Sequence, residues 1–176
     1  MRNIFFISDT HFFHENILKF TDRDGKIIRN FQDVTDMNET MVANWNAMVR
    51  PQDKVYHLGD VAVGVQKASD FTGLMGRLNG HKRLMLGNHD HIKHPAYRAF
   101  ETIELWTGGK FKQYGFVACH IPLRYDQMRD GEFNVHGHIH QNSMDDPRYI
   151  NVCVEHTDYL PVPLEVIIAQ IKDRRI

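Results

Sequence analysis

Six short apolar runs punctuate the chain, and each gives way within two residues to glycine, aspartate or histidine. They are Ile4–Ile7, Lys54–Leu58, Arg83–Leu86, Phe116–Cys119, Phe133–His136 and Tyr149–Val154. Runs this short and this continuous read as strands, several of them buried on both faces as in parallel sheets. Helical spacing fills the gaps. Met37, Met41, Val42, Trp45, Met48 and Val49 recur on one helical face, with Thr35 as the expected N-cap and Arg50-Pro51 as the stop. Weaker helical patterns cover Val65–Leu78, Pro95–Phe100 and Leu164–Lys172. The stretch from Thr102 to Ala118 reads as successive strands, with turns at Gly108-Gly109 and Tyr114-Gly115, which predicts antiparallel pairing beside the parallel units. The fold class is therefore mixed α/β, and ligands are expected in the loops that follow the strands.

Length and composition narrow this further. At 176 residues without a linker, repeat or low-complexity tract, the chain is expected to form one domain spanning 1–176. Its 21 Lys+Arg against 22 Asp+Glu leave a formal charge of -1, so no broad basic field draws in nucleic acid or anionic membrane. The opening Met1–Ile7 resembles neither a signal peptide nor a membrane span. Cys119 and Cys153 are too few for a disulfide framework and read as reduced, buried thiols of a cytoplasmic protein. Histidine is the unusual component, with 12 copies against 11 Phe and 6 Tyr, which suggests metal or proton-transfer chemistry.

The post-strand loops contain Asp9-Thr10-His11, Gly59-Asp60, Gly87-Asn88-His89-Asp90, His120 and Gly137-His138-Ile139-His140. In extended backbone, residues two apart point to the same side, so Asp9 with His11, and His138 with His140, can each aim a pair at one point. The glycines before Asp60, Asn88 and His138 permit sharp turns or close backbone approach. Carboxylate, amide oxygen and imidazole without thiolate suit borderline-to-hard divalent ions rather than a cysteine-rich structural zinc.

Taken together and in this order, these blocks resemble the calcineurin-like metallophosphoesterases, whose pattern is Asp-x-His, Gly-Asp, Gly-Asn-His-(Asp/Glu), a later His, and Gly-His-x-His. The resemblance runs from Asp9 to His140. It implies a four-layer αββα sandwich of two mixed β-sheets flanked by helices, with the site at one end. It also implies two divalent metal ions, drawn from manganese, iron, zinc, nickel or cobalt. The first would be held by Asp9, His11, Asp60 and His140, and the second by Asp60, Asn88, His120 and His138, with Asp60 shared. Two dications about 3.5–4 Å apart repel, and a shared carboxylate with a hydroxide between them offsets that repulsion. The hydroxide would act as the nucleophile toward a phosphate ester.

His89 corresponds to the family's non-ligand histidine, which touches the phosphoryl oxygen and protonates the leaving group, a role suited to a side chain type that titrates near neutral pH. Asp90 either orients His89 or caps a following turn. His14 either reaches the substrate phosphate or begins a helix near Glu15. Arg29 and Arg124 are further candidates for phosphate contact, set against ordinary solvated arginines. His57 and His136, inside their strands, read as hydrogen-bonded groups behind the ligands.

The second block continues Gly59-Asp60-Val61-Ala62-Val63-Gly64, without the Asp-Arg-Gly extension of the protein Ser/Thr phosphatase branch. The expected substrate is therefore a small phosphate ester, most plainly a diester. Phosphomonoesters, or nucleic acid as substrate only, are the alternatives on the same centre, and a non-catalytic protein-binding scaffold is the alternative of a different class.

Overall fold

The computed structural model describes residues 2–174, so Met1, Arg175 and Ile176 of the expected 1–176 unit lie outside the described residues. Strands β1 (Ile4–Ile7), β2 (Lys54–His57), β3 (His81–Met85), β4 (Phe100–Glu104) and β8 (Val162–Pro163) form one sheet in the order β4-β3-β2-β1-β8. Strands β5 (Phe116–Ala118), β6 (Phe133–His136) and β7 (Tyr149–Asn151) form the second, in sequence order. The first sheet is mixed, because β8 runs antiparallel to β1 while the other pairs are parallel. The second is parallel throughout its described strands.

Helices α1 (Val34–Met48) and α2 (Ala68–Arg77) cover the outer face of the larger sheet. Met37, Met41, Val42 and Trp45 of α1 and Phe71, Leu74 and Met75 of α2 share one core with Phe5, Ile7, Val55 and Leu84. Fully burying each such side chain contributes about 1.5–3 kcal/mol. The opposite face of that sheet offers Phe6, Tyr56, Leu58 and Met85 to Phe116, Phe133, Val135 and Ile150 of the smaller sheet. Helix α3 (Leu164–Arg174) adds Leu164, Ile167 and Ile171 to this inter-sheet core, and Arg174 reaches the Tyr149 carbonyl on β7 at 3.0 Å. The outer face of the smaller sheet is covered by the segment after β5. There Leu123 donates its N–H to Asn134 and accepts from the Tyr149 hydroxyl. That segment carries the 3-10 turn Tyr125–Gln127, and the two facing sheets with their helices agree with the expected sandwich.

Local expectations shift at several ends. The cap of α1 is Asp33 rather than Thr35, since its carboxylate accepts the Asp36 N–H at 2.8 Å. The second helix begins at Ala68, because Gly64 takes a left-handed backbone (φ 74°) and Val65 packs on the core as a loop residue. Pro95–Ala99 is a 3-10 helix. The 102–118 stretch starts in the last residues of β4 and ends with β5, both paired in parallel, and residues 105–115 between them cross from one sheet to the other. Phe111 inserts among Phe6, Tyr56 and Phe116, so antiparallel pairing there shrinks to the isolated bridge Trp106–Cys119.

Parallel register decides where the site lies. Ile7 is level with His57 and His57 with Leu84, so the loops after β1, β2 and β3 leave the sheet at the same end. A parallel bridge between Ser8 and Cys153 stitches that end to the segment after β7, with Ser8 N–H donating to the Val152 carbonyl at 3.1 Å. Both sheets thus open their C-terminal strand ends onto one rim.

Candidate metal centre

At this rim the side chains converge into two groups, Asp9 with His11 and His140, and Asp60 with His120 and His138. His11 Nε2 lies 3.7 Å from Asp9 Oδ1 and 3.6 Å from Asp60 Oδ2, and His140 Nε2 lies 3.8 Å from Asp9 Oδ1. On the other side His120 Nε2 is 3.4 Å from the same Asp60 Oδ2, 2.9 Å from Asn88 Oδ1 and 3.2 Å from His138 Nδ1. One carboxylate oxygen therefore faces both groups.

The convergence depends on backbone that few side chains adopt. Among the described residues, eight non-glycine positions have positive φ, and five of them are Asp9, His11, Asp60, His138 and His140. The left-handed region admits Asp and His more readily than branched residues, and costs of order 1–3 kcal/mol where it is strained. Residues two apart are thus paired by loops that turn at each of these positions, not by extended backbone. Two glycines let the loops close. A Cβ on Gly59 (φ 96°) would sit 2.7 Å from the Gly87 backbone and from His120 Nδ1, and one on Gly137 would meet Ser8 Oγ at 1.9 Å.

Hydrogen bonds leave particular atoms facing inward. Asp9 Oδ2 accepts from Ser8 Oγ at 2.6 Å, the His138 N–H at 2.8 Å and Cys153 Sγ at 3.1 Å, while Oδ1 is buried without a partner. Asp60 Oδ1 accepts the His89 N–H at 2.8 Å, leaving Oδ2 to the histidines. His120 donates Nδ1–H to the Leu58 carbonyl at 2.7 Å, which puts the lone pair on Nε2, and His11 Nε2 is buried and unpartnered. Burial opposes ionisation of Asp60, yet His120 and the His89 N–H outweigh it and hold its pKa below the usual range. Asp9 is likewise held low despite burial, by His11 and other partners. Two ionised, buried carboxylates with unpartnered oxygen and nitrogen atoms form a donor set that fits divalent cations.

The remaining candidates sort clearly. His89 is exposed at the mouth, its ring 5.6 Å from that of His11. His14 reaches the rim, where its Nδ1 meets His11 Nδ1 at 3.3 Å. Asp90 does not orient His89. Its carboxylate accepts N–H groups from Asp60, Val61 and Gly87 and the Tyr97 hydroxyl, clamping the loop after β2 to the loop after β3. Arg29 is fully buried, so it cannot meet substrate phosphate; it donates to the Asp9 and Thr10 carbonyls and to Glu155. Arg124 projects into solvent and pairs with Asp126 at 2.9 Å. His57 accepts the Gly59 N–H and meets Thr10 Oγ1 at 3.0 Å, and burial lowers its pKa to about 4.

Glu155 is the functional residue that sequence reasoning missed. Its Oε1 lies 2.8 Å from His140 Nδ1 and fixes that ring, and nothing in the sequence around it marks this. Ser8 and Cys153, which orient Asp9, carry only the weak signal of adjacency or burial.

Residues 2–167 match the family described as calcineurin-like phosphoesterase. The chain belongs to that family. It is 35% identical, over 183 aligned positions, to an uncharacterized protein of Methanocaldococcus jannaschii, covering 100% of this chain and 95% of the relative. It is also 29% identical to the Gene 66 protein of Mycobacterium phage L5, over 80% of this chain and 78% of that one. A solved structure of a protein of unknown function from Aquifex aeolicus superposes with a TM-score of 0.74 at 26% identity, covering 95% of this chain and 98% of that chain. As a calcineurin-like phosphoesterase, the chain is a metal-dependent phosphoric ester hydrolase whose donor groups fit a divalent metal centre. Among the described residues, no helix is long and apolar enough to cross a membrane.

Proposed function

We propose that this phosphoesterase hydrolyses small phosphodiesters with two divalent ions. Asp9, His11, Asp60 and His140 would hold one ion, and Asp60, Asn88, His120 and His138 the other. The observation that supports this reading is the position of Asp60 Oδ2, 3.6 Å from His11 Nε2 and 3.4 Å from His120 Nε2, between the two groups. Bound there, such ions act as Lewis acids and lower the pKa of water to supply a nucleophile near neutral pH. Imidazole and carboxylate donors suit manganese, iron, zinc, nickel or cobalt.

The chain's own residues do the rest. Asp90 fixes the Asp60 loop, Glu155 fixes the His140 ring, and the Leu58 carbonyl fixes the His120 tautomer. His89, exposed beside the centre, contacts the phosphoryl oxygen and gives a proton to the departing alcohol. Two buried free thiols accord with a reducing, cytoplasmic setting.

The preference for diesters rests on the family likeness of a short chain without the Asp-Arg-Gly extension. Comparing bis(p-nitrophenyl) phosphate with p-nitrophenyl phosphate, with each metal in turn, tests it. The diester is expected to be hydrolysed faster, and a large preference for the monoester overturns the diester assignment.

A further inference from the structure

A groove of about 510 Å3 opens directly beside His138 and His140, a size within the ~300–1,000 Å3 of small-molecule pockets. One wall is the segment 17–28, a small hairpin closed by the Thr21–Ile27 bridge and by the Ile28 N–H on the Phe20 carbonyl at 3.0 Å. It offers Ile17, Phe20 and Ile28. The facing wall follows the His138/His140 block and offers Ile139 and Met144. Phe20 is 49% exposed and Met144 43%, so large apolar side chains stand in water on both lips. A continuous file of rings leads from the centre to this groove: His140 to His11 at 5.0 Å, His11 to His14 at 5.3 Å, and His14 to Phe20 at 5.8 Å.

Beyond His138 and His140, which belong to the centre, the polar groups of the lining are uncharged: Thr21, Gln141, Asn142 and Ser143 supply hydroxyls and amides. Among the described residues, no Lys, Arg, Asp or Glu lines the groove. A phosphoryl group at the centre is thus flanked by a space that offers an aromatic face and hydrogen-bonding edges but no cation for a second phosphate. A methyl or other small substituent leaves the space and its apolar lips hydrated. A flat, uncharged group with polar edges covers them and matches the chemistry of the walls.

We propose that this groove binds the retained substituent of the diester, and that the substituent is an uncharged, nucleoside-like aromatic group. This rests on the diesterase reading above. It assigns Phe20 and Met144 as specificity-determining residues.

The test compares two diesters with the same leaving group, thymidine 5′-(p-nitrophenyl phosphate) and methyl p-nitrophenyl phosphate, on the metal-loaded protein. Because p-nitrophenolate departs from both, a difference reports the retained substituent. The thymidine ester is expected to have the higher kcat/KM by roughly ten- to a hundredfold, mostly through KM, as burial of an aromatic group provides. Phe20→Ala or Met144→Ala is expected to shrink that ratio about three- to tenfold, toward one. A 3′-phosphate added to the thymidine ester is expected to lower kcat/KM. Equal kcat/KM for the methyl and thymidine esters overturns the groove assignment while leaving the hydrolase reading intact.

A second measurement does not depend on turnover. Methyl NMR of the protein titrated with thymidine is expected to shift Ile28, Ile139 and Met144, whereas inorganic phosphate is expected to act at the centre. If no ester is hydrolysed with any metal, the diesterase reading fails, and the thymidine titration still decides whether the groove binds such groups. Absence of shifts at Ile28 and Met144 overturns the proposal.

Discussion

Arg29 Nη2 lies 2.7 Å from Glu155 Oε1, joining residues 126 positions apart inside the wall of the metal centre. The same carboxylate oxygen lies 2.8 Å from His140 Nδ1, and the same guanidinium donates to the Asp9 carbonyl at 2.6 Å. One buried ion pair therefore braces a histidine from the Gly-His-x-His block and the backbone of the first aspartate together. Removing one member of such a pair leaves the other charge buried without compensation, at a cost of about 3–5 kcal/mol. Arg29→Ala is expected to destabilise by that amount in denaturant unfolding. A variant that kept wild-type stability and lost only substrate affinity would return Arg29 to a role in phosphate contact.

The shared position of Asp60 makes a distinct prediction about metal content. Asp60→Asn removes a charge whose Oδ2 faces both His11 and His120, so metal is expected to fall at both proposed sites. His11→Ala takes a donor from the Asp9 group and is expected to empty mainly that site. Elemental analysis of the reconstituted proteins distinguishes these patterns. A fully active wild type with one ion per chain would contradict the assignment. Because imidazole must be neutral to coordinate, occupancy is also expected to decline below about pH 6.

The residues brought together here were legible because parallel strands deliver their following loops to one rim, so reading only those loops yields Asp9, His11, Asp60, Asn88, His120, His138 and His140. The supporting bonds were not legible. Asp90 sits next to His89 in sequence, yet its carboxylate turns toward the Asp60, Val61 and Gly87 amides, a direction set by how two loops pack. Arg29 reads in the sequence as a phosphate contact or a solvated arginine, and neither reading anticipates its burial against Glu155. The segment after β5 covers the smaller sheet through the Leu123 backbone and the Asn134 and Tyr149 side chains, without the periodicity that marks a helix.

Acid sensitivity away from the metal centre centres on Asp53. Burial alone would raise its pKa, but Arg50 and the N–H groups of Asn3 and Arg50 outweigh it and bring it from 3.8 to about 2. A carboxylate depressed in the folded state contributes stability fully above its unfolded pKa, and loses it as the pH falls through the folded value. Metal-free wild type is therefore expected to exceed Asp53→Asn in stability at pH 5, by about 1–3 kcal/mol for the lost buried acceptor. That gap is expected to close between pH 4 and pH 2. Denaturant unfolding at successive pH values measures it, and a gap that persists at pH 2 would assign the effect to packing.

The His89 backbone N–H, not its ring, bonds Asp60 Oδ1. His89→Ala therefore keeps the contact that steadies the shared carboxylate, and metal content is expected to stay near wild type. What the variant loses is an imidazole at the mouth, 5.6 Å from the His11 ring. If that imidazole both contacts the phosphoryl oxygen and protonates the leaving group, the loss must depend on which alcohol departs. p-Nitrophenolate leaves without a proton, so its esters are expected to lose only the phosphoryl contact. An alkoxide needs the proton, so dialkyl esters are expected to lose a further factor of roughly 10²–10⁴. Measuring kcat for aryl and alkyl diesters on both proteins, with metal content determined on the same samples, separates the two contributions. Equal losses for both ester types, with metals retained, would leave His89 with electrostatic positioning of the phosphoryl group and no part in proton transfer.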